Sequence, residues 1–244
     1  MPESSILNHC ARCRIMPCMK ITSAFEEILH SPRLPEYAAI IERKLADEQL
    51  RRRRFYAEMT DEVKAEFIDG EVILHSPARN WHLNASRNLI TLLHVISPAC
   101  GGLVHVEKAL CIFRRNDYEP DIVFFGSEKA AQIRPDTLKF PVPDFIVEIL
   151  SETTEARDRG VKFEDYAAHG VREYWIVDPQ DETVEQYLLT DDGEYRLKLK
   201  SGSGDICSVV IPGFAIPVRA VFDPEANRLA LVRLLDSASR GQAT

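Results

Sequence analysis

The chain has 244 residues, 45% of them hydrophobic and 28% charged, with a formal net charge of −8 at pH 7. That composition is globular and long enough for one sizeable core. It excludes a protein that grips nucleic acid by bulk positive charge. No run is long and apolar enough to span a bilayer, and residues 1–20 lack the continuous apolar stretch of a signal peptide; the expectation is a cytoplasmic protein without a membrane partner.

Residues 1–35 show no regular period. They hold His9, Cys10, Cys13 and Cys18, but C-x2-C-x4-C lacks the second pair of a zinc site, and a loose tail is the better reading. Cys100, Cys111 and Cys207 sit among apolar neighbours and read as buried thiols. From 36 to 59 the pattern turns helical, with Ala39, Ile40, Leu45 and Leu50 among charged residues. The four arginines at 51–54 point four ways around such a helix and cannot form one phosphate-binding patch unaided; they read as a solvated face.

Residues 65–75 form a hairpin in which Asp69-Gly70 supplies the two positive-φ positions of a type I′ turn. The spacing predicts a helix over 80–96 that buries Leu83, Leu89, Ile90, Leu92, Leu93 and Ile96. One or two strands follow in 103–114, and the next opens at Asp121. Residues 152–170 read as a helix ended by Gly170, and 174–177 as a strand. The stretches 183–189, 194–200 and 206–211 read as a C-terminal antiparallel meander. From 223 onward a fraying tail or short helix is expected. Trp81 and Trp175 read as core anchors.

The chemistry concentrates in two apolar strands. Asp121 leads into Ile122-Val123-Phe124-Phe125, and Glu148 is the one charge within 145–150. A buried carboxylate must meet a cation or a donor. Two on adjacent strands suit a hard divalent ion, and through it phosphodiester hydrolysis. Mg²⁺, with Mn²⁺ as its substitute, would take Asp121, Glu148 and the Ile149 carbonyl as ligands. Asp144 shares the Glu148 face at the strand's entry. Lys162 follows with Asp158 one turn earlier; the pair fits a plain ion pair as well as an amine reaching the metal-bound water. Glu66 fits a solvated strand residue, a further ligand or a water-orienting base. His82 opens a helix, where it could contact phosphate or polarise a water.

The ordered set Glu66-Phe67-Ile68-Asp69-Gly70-Glu71, His82, Glu119-Pro120-Asp121, Phe145-Ile146-Val147-Glu148-Ile149-Leu150-Ser151, Asp158-x-x-x-Lys162, Tyr166 and Gly170-Val171-Arg172-Glu173-Tyr174-Trp175-Ile176-Val177-Asp178-Pro179 resembles the Uma-type restriction endonuclease family, within the PD-(D/E)XK nuclease superfamily. The resemblance implies an α/β restriction-endonuclease-like core, a central mixed sheet flanked by helices, and Mg²⁺-dependent cleavage of DNA. It matches Asp121 to the first motif acid and Glu148 to the second. Leu150 stands where the superfamily lysine is usual, and the resemblance moves that lysine to Lys162.

The resulting expectation is a metal-dependent DNA endonuclease at 55–222, with an N-terminal extension at 1–54 and a tail at 223–244. In it Lys162 stabilises charge and Asp158 orients Lys162. A homodimer would suit cleavage of both strands of a duplex. The rivals are a non-catalytic interaction module on the same fold and a nuclease for RNA or branched substrates.

Overall fold

The computed structural model describes residues 23–60 and 62–241; the cysteine-bearing segment at 9–18 lies outside them. The chain divides into a unit ending at Ile40 and a unit beginning at Ile41. Helix α1 (Ser23–Leu29) and the start of α2 (Leu34–Glu58) belong to the first.

In the second unit, the stretch from 41 to 54 that reads as extension is anchored by its own side chains and by Phe55 just after it. Phe55 stacks on Phe67. Arg115 grips Glu48 through two 2.8 Å hydrogen bonds. Arg52, read from the sequence as solvated, pairs with Asp117 and donates to the carbonyls of Phe113, Arg114 and Asn116. One arginine of the four is therefore a clamp, because the helix turns that position alone onto the sheet.

Strands β1 (Ala65–Ile68) and β2 (Glu71–Leu74) make the expected hairpin, with Asp69 at φ 52° and Gly70 at φ 87°. Helix α3 (Asn80–Ile96) has the predicted bounds. It buries Leu89, Leu92, Leu93 and Ile96 as expected, but Leu83 is 48% exposed, and His82 and Ala85 are buried in the first turns. After it come β3 (Leu103–Val106), β4 (Leu110–Ile112), β5 (Asp117–Tyr118), β6 (Ile122–Phe125), the short α4 (Ser127–Ala130), β7 (Lys139–Phe140) and β8 (Phe145–Ile149). The predicted helix over 152–170 is two pieces, α5 (Glu155–Asp158) and α6 (Val161–Ala168), followed by β9 (Glu173–Asp178), β10 (Thr183–Leu189) and β11 (Tyr195–Ser201). A hairpin of β12 (Asp205–Cys207) and β13 (Ala215–Pro217) precedes α7 (Pro224–Gly241).

A mixed six-stranded sheet runs β11-β10-β9-β8-β6-β3, with β8 and β9 parallel. A second sheet of short strands runs β2-β1-β5-β4-β7. Two of the expected meander strands thus extend the central sheet, and only residues 205–207 of the third pair elsewhere. One face of the large sheet carries Phe124, Phe145, Val147 and Trp175 against Leu89 and Leu92 of α3 and Leu234 of α7. The expected tail is therefore a core helix, tied by Asn227 to the carbonyls of Asn88 and Ala220. Apolar positions such as Ala230 and Leu234 drive this docking. The other face packs Val123, Phe125, Ile146 and Tyr174 against Tyr166 of α6 and Tyr118 of the small sheet. Of the three described cysteines only Cys111 is buried; Cys207 is exposed, because it ends a two-stranded hairpin.

Two buried carboxylates lock this arrangement. Glu173 accepts from Trp175 Nε1, Gln186 Nε2, the Ser208 hydroxyl and the amides of Val209 and Val210. Glu185 receives both terminal nitrogens of Arg159 at 2.9 Å, together with Lys200 at 2.9 Å. Exchanging Glu173 for Gln puts a donor where five donors already point and should cost about 2–4 kcal/mol in urea unfolding; an unchanged midpoint would refute the lock. Burial opposes ionisation of Glu185, but Arg159, Tyr187 and Lys200 hold it down to about 2 from 4.5. Its contribution is complete above pH 4.5 and disappears as the pH falls through 2. In acid melts, Glu185→Gln should accordingly flatten the loss of stability over that window.

Candidate active site

Side-chain parity decides which groups meet. Val123 and Phe125 share a cluster with Ile146 and Leu150, whereas Ile122, Val147 and Ile149 face α3. By alternation Asp121 and Glu148 belong to the first face, and the Ile122–Val147 register sets them side by side across β6 and β8. The Ile149 amide donates to Asp121 Oδ2 at 2.8 Å. Both acids line one cleft of about 1020 Å³, together with Lys64, His82, Glu107 and Lys162.

Behind the cleft lies a buried polar hub. Glu148 Oε1 accepts from Lys162 Nζ at 3.0 Å and from the Tyr166 hydroxyl at 2.7 Å. Lys162 also meets Glu66 Oε1 at 3.1 Å and Asp158 Oδ1 at 3.2 Å. An ammonium has three donors, and three carboxylates face them. Glu66 is fully buried rather than solvated, because the β1 face that bears it lies against the hub. It accepts the Glu119 amide at 3.0 Å and stands 3.0 Å from His75 Nε2.

The helix break is built into the hub. At Gly160 a Cβ would stand 2.7 Å from the Ala156 carbonyl oxygen, a contact that real side chains do not make. Asp158 and Lys162 approach each other across that break.

On the cleft side, Asp121 Oδ1 meets Lys64 Nζ at 3.0 Å and His82 Nε2 at 3.5 Å. Lys64 is also 3.5 Å from Glu107. One ligand atom each from His82, Glu107 and Asp121 lies within 4.8 Å of the others. Those three side chains need only close slightly to bring their donors onto one ion at about 2.0–2.2 Å. Burial works to raise the Asp121 carboxyl, but Lys64, His82 and the Ile149 amide hold it well below the usual range. Burial pushes Glu148 well above it; Lys162 opposes, while Asp158, Asp121 and Glu66 add to the rise. Burial would lower Lys162, yet Glu148, Glu66 and Asp158 raise it. Acids outnumber ammonium groups here, which suits a site built for a further cation.

Asp144 is not part of this cluster. It accepts the Gly126 amide and Lys129 Nζ, both at 2.8 Å, and clamps the turn after β6. Four residues of extended chain, roughly 13 Å, separate it from Glu148. Trp175 is a core anchor, but Trp81 is half-buried and lines the cleft. Lys64, His75, Glu107 and the role of Tyr166 escape the sequence reading. Lys64 and Glu66 are two apart on one strand approach, and Lys162 and Tyr166 four apart on one helix face, so those two had a periodic signal. Glu107 had none; it sits at φ 58°, its amide bound to the Asp121 carbonyl.

Comparison with known proteins adds an independent line. The family model Uma2, described as "Putative restriction endonuclease", matches residues 47–219. An uncharacterized protein of Synechocystis, slr1290, is 28% identical over 171 residues, covering 62% of this chain and 85% of that one. A crystal structure described as a putative nuclease belonging to DUF820, from Anabaena variabilis, superposes with a TM-score of 0.59 at 19% identity. It covers 69% of this chain and 94% of that one. The likeness in structure establishes a shared fold.

Proposed function

The chain belongs to the Uma2 family, and from that premise and the shape of the site we propose that it is a metal-dependent endonuclease hydrolysing phosphodiester bonds in DNA. The observation that carries this reading is the pairing of Asp121 and Glu148 on one face of adjacent strands, opening into one cleft. Asp121 is the central ligand. Both hydrogen bonds to Glu148 reach Oε1, which leaves Oε2 for a cation; His82 and Glu107 complete the side-chain donors, with the Ile149 carbonyl as the main-chain one. Mg²⁺ and Mn²⁺ both suit such a set, and the imidazole favours Mn²⁺.

A divalent cation, when bound, supplies Lewis acidity toward a water and the scissile phosphate. The chain's own residues do the rest. Lys162, with its donors facing three carboxylates, holds Glu148 and Glu66 in position. Lys64 spans Asp121 and Glu107 at the cleft wall. It is the amine better placed to steady an attacking water and the charge that builds on phosphorus, the role that the sequence assigned to Lys162. Asp158 orients Lys162, and Tyr166 fixes the Glu148 rotamer.

Mn²⁺ should raise the melting temperature of the wild-type chain by mass action. Asp121→Asn and Glu148→Gln should each remove that response and lower Mn²⁺-dependent plasmid nicking about 100-fold or more. A wild-type chain that takes up Mn²⁺ yet nicks neither duplex, branched nor RNA substrates would instead be a cation-binding interaction module. The two lysines separate by stability: Lys64→Met leaves Asp121 with His82 and the Ile149 amide and should lose nicking at a smaller stability cost than Lys162→Met. Lys162→Met leaves buried carboxylates unpaired and should cost about 3–5 kcal/mol. Equal stability losses in the two variants would remove the distinction.

A further inference from the structure

Arg157 stands in α5 one residue before Asp158 and lines the same cleft as Asp121, Glu148 and Lys162. Its Nε is buried and has no hydrogen-bond partner. Three other partly buried arginines are committed: Arg52 to Asp117, Arg115 to Glu48 and Arg159 to Glu185. Along the cleft wall, Lys64 and Lys162 face carboxylates, and Arg79 lies 3.8 Å from Glu152. No ion pair engages Arg157 among the described residues. Half-buried on the wall of a cleft lined by ionisable groups, and without a carboxylate partner, this guanidinium is a cation available to an anion that enters the cleft.

We propose that Arg157 is a catalytic residue that grips the scissile phosphate of duplex DNA through two of its non-bridging oxygens. The inference rests on the nuclease reading and adds to Lys64, which is tied to Asp121 and Glu107, a cation with no carboxylate partner that can hold the phosphate itself. A phosphate drawn to a cation at Asp121 and Glu148 enters the cleft that Arg157 lines. The planar fork of a guanidinium matches two phosphate oxygens as a lysine ammonium does not. The same donors would oppose the charge that builds on phosphorus during in-line displacement. The backbone fixes the position, since the Arg157 amide bonds to the Thr154 carbonyl at 2.8 Å.

The test compares the full-length wild type with Arg157→Gln and Arg157→Lys in three measurements. These are the Mn²⁺ thermal shift, the affinity for a fluorescent duplex oligonucleotide in Ca²⁺, and the single-turnover rate of Mn²⁺-dependent plasmid nicking at saturating enzyme. Arg157→Gln should keep the Mn²⁺ response, bind the duplex about 10-fold more weakly and nick about 100-fold more slowly. Arg157→Lys should regain binding but little of the rate, because a point charge lacks the fork. Nicking by Arg157→Gln within about 3-fold of wild type would overturn the proposal. So would a variant whose Mn²⁺ response and melting temperature fall in step with its activity, since that marks a structural role. If the wild type itself neither binds nor nicks DNA, the nuclease reading fails, and this inference with it.

Discussion

One ammonium group, that of Lys162, is shared by carboxylates from three separate elements: Glu66 from β1, Glu148 from β8 and Asp158 from α5. The small sheet, the central sheet and the helical crossover after β8 meet at that point. An ion pair so deeply buried gives little net stability relative to apolar packing, but removing any one member strands the others. Its value is geometric. It holds Glu148 with one oxygen toward the interior, so the orientation of the acid at the cleft is set from behind.

The remaining architecture serves that placement. Parallel β8 and β9 send the chain through α5 and α6, which bring Lys162 and Tyr166 back over the face that bears Glu148. The break at Gly160 sets the angle between those helices. Arg159, at the same junction, is pinned to β10 through Glu185. On the opposite face α3 and α7 pack as an ordinary apolar layer, and α3 contributes His82 only through its first turn. Both faces carry apolar core, and the cleft with its acids and lysines opens on the face away from α3 and α7.

A net charge of −8 looks ill-suited to a partner made of phosphates. The site resolves the conflict locally. Its acids are buried and paired with Lys64 and Lys162, and a divalent ion would offset the remainder, so the cleft need not repel an anion as the whole surface would. On the proposed reading, affinity for a nucleic acid would come from a few focused contacts in the cleft and not from a basic surface.

The sequence by itself determined the local elements. Asp69-Gly70 admits few turns other than the one observed, the 3.6-residue spacing bounded α3, and period-two alternation put Glu148 on the face of Ile146 and Leu150. These are short-range rules, legible without knowing what the chain packs against. Tertiary structure alone decided the partners. Nothing near Arg52 announces Asp117, nothing near Asp144 announces Lys129 rather than the metal site, and the apolar positions of α7 gain meaning only beside α3. Glu66 and Glu107 are likewise ordinary glutamates until β1 and the turn before β4 bring them to the hub and the cleft. Contacts between residues 50 or more positions apart leave no periodic trace, because loop closure and packing, rather than local backbone preference, bring them together.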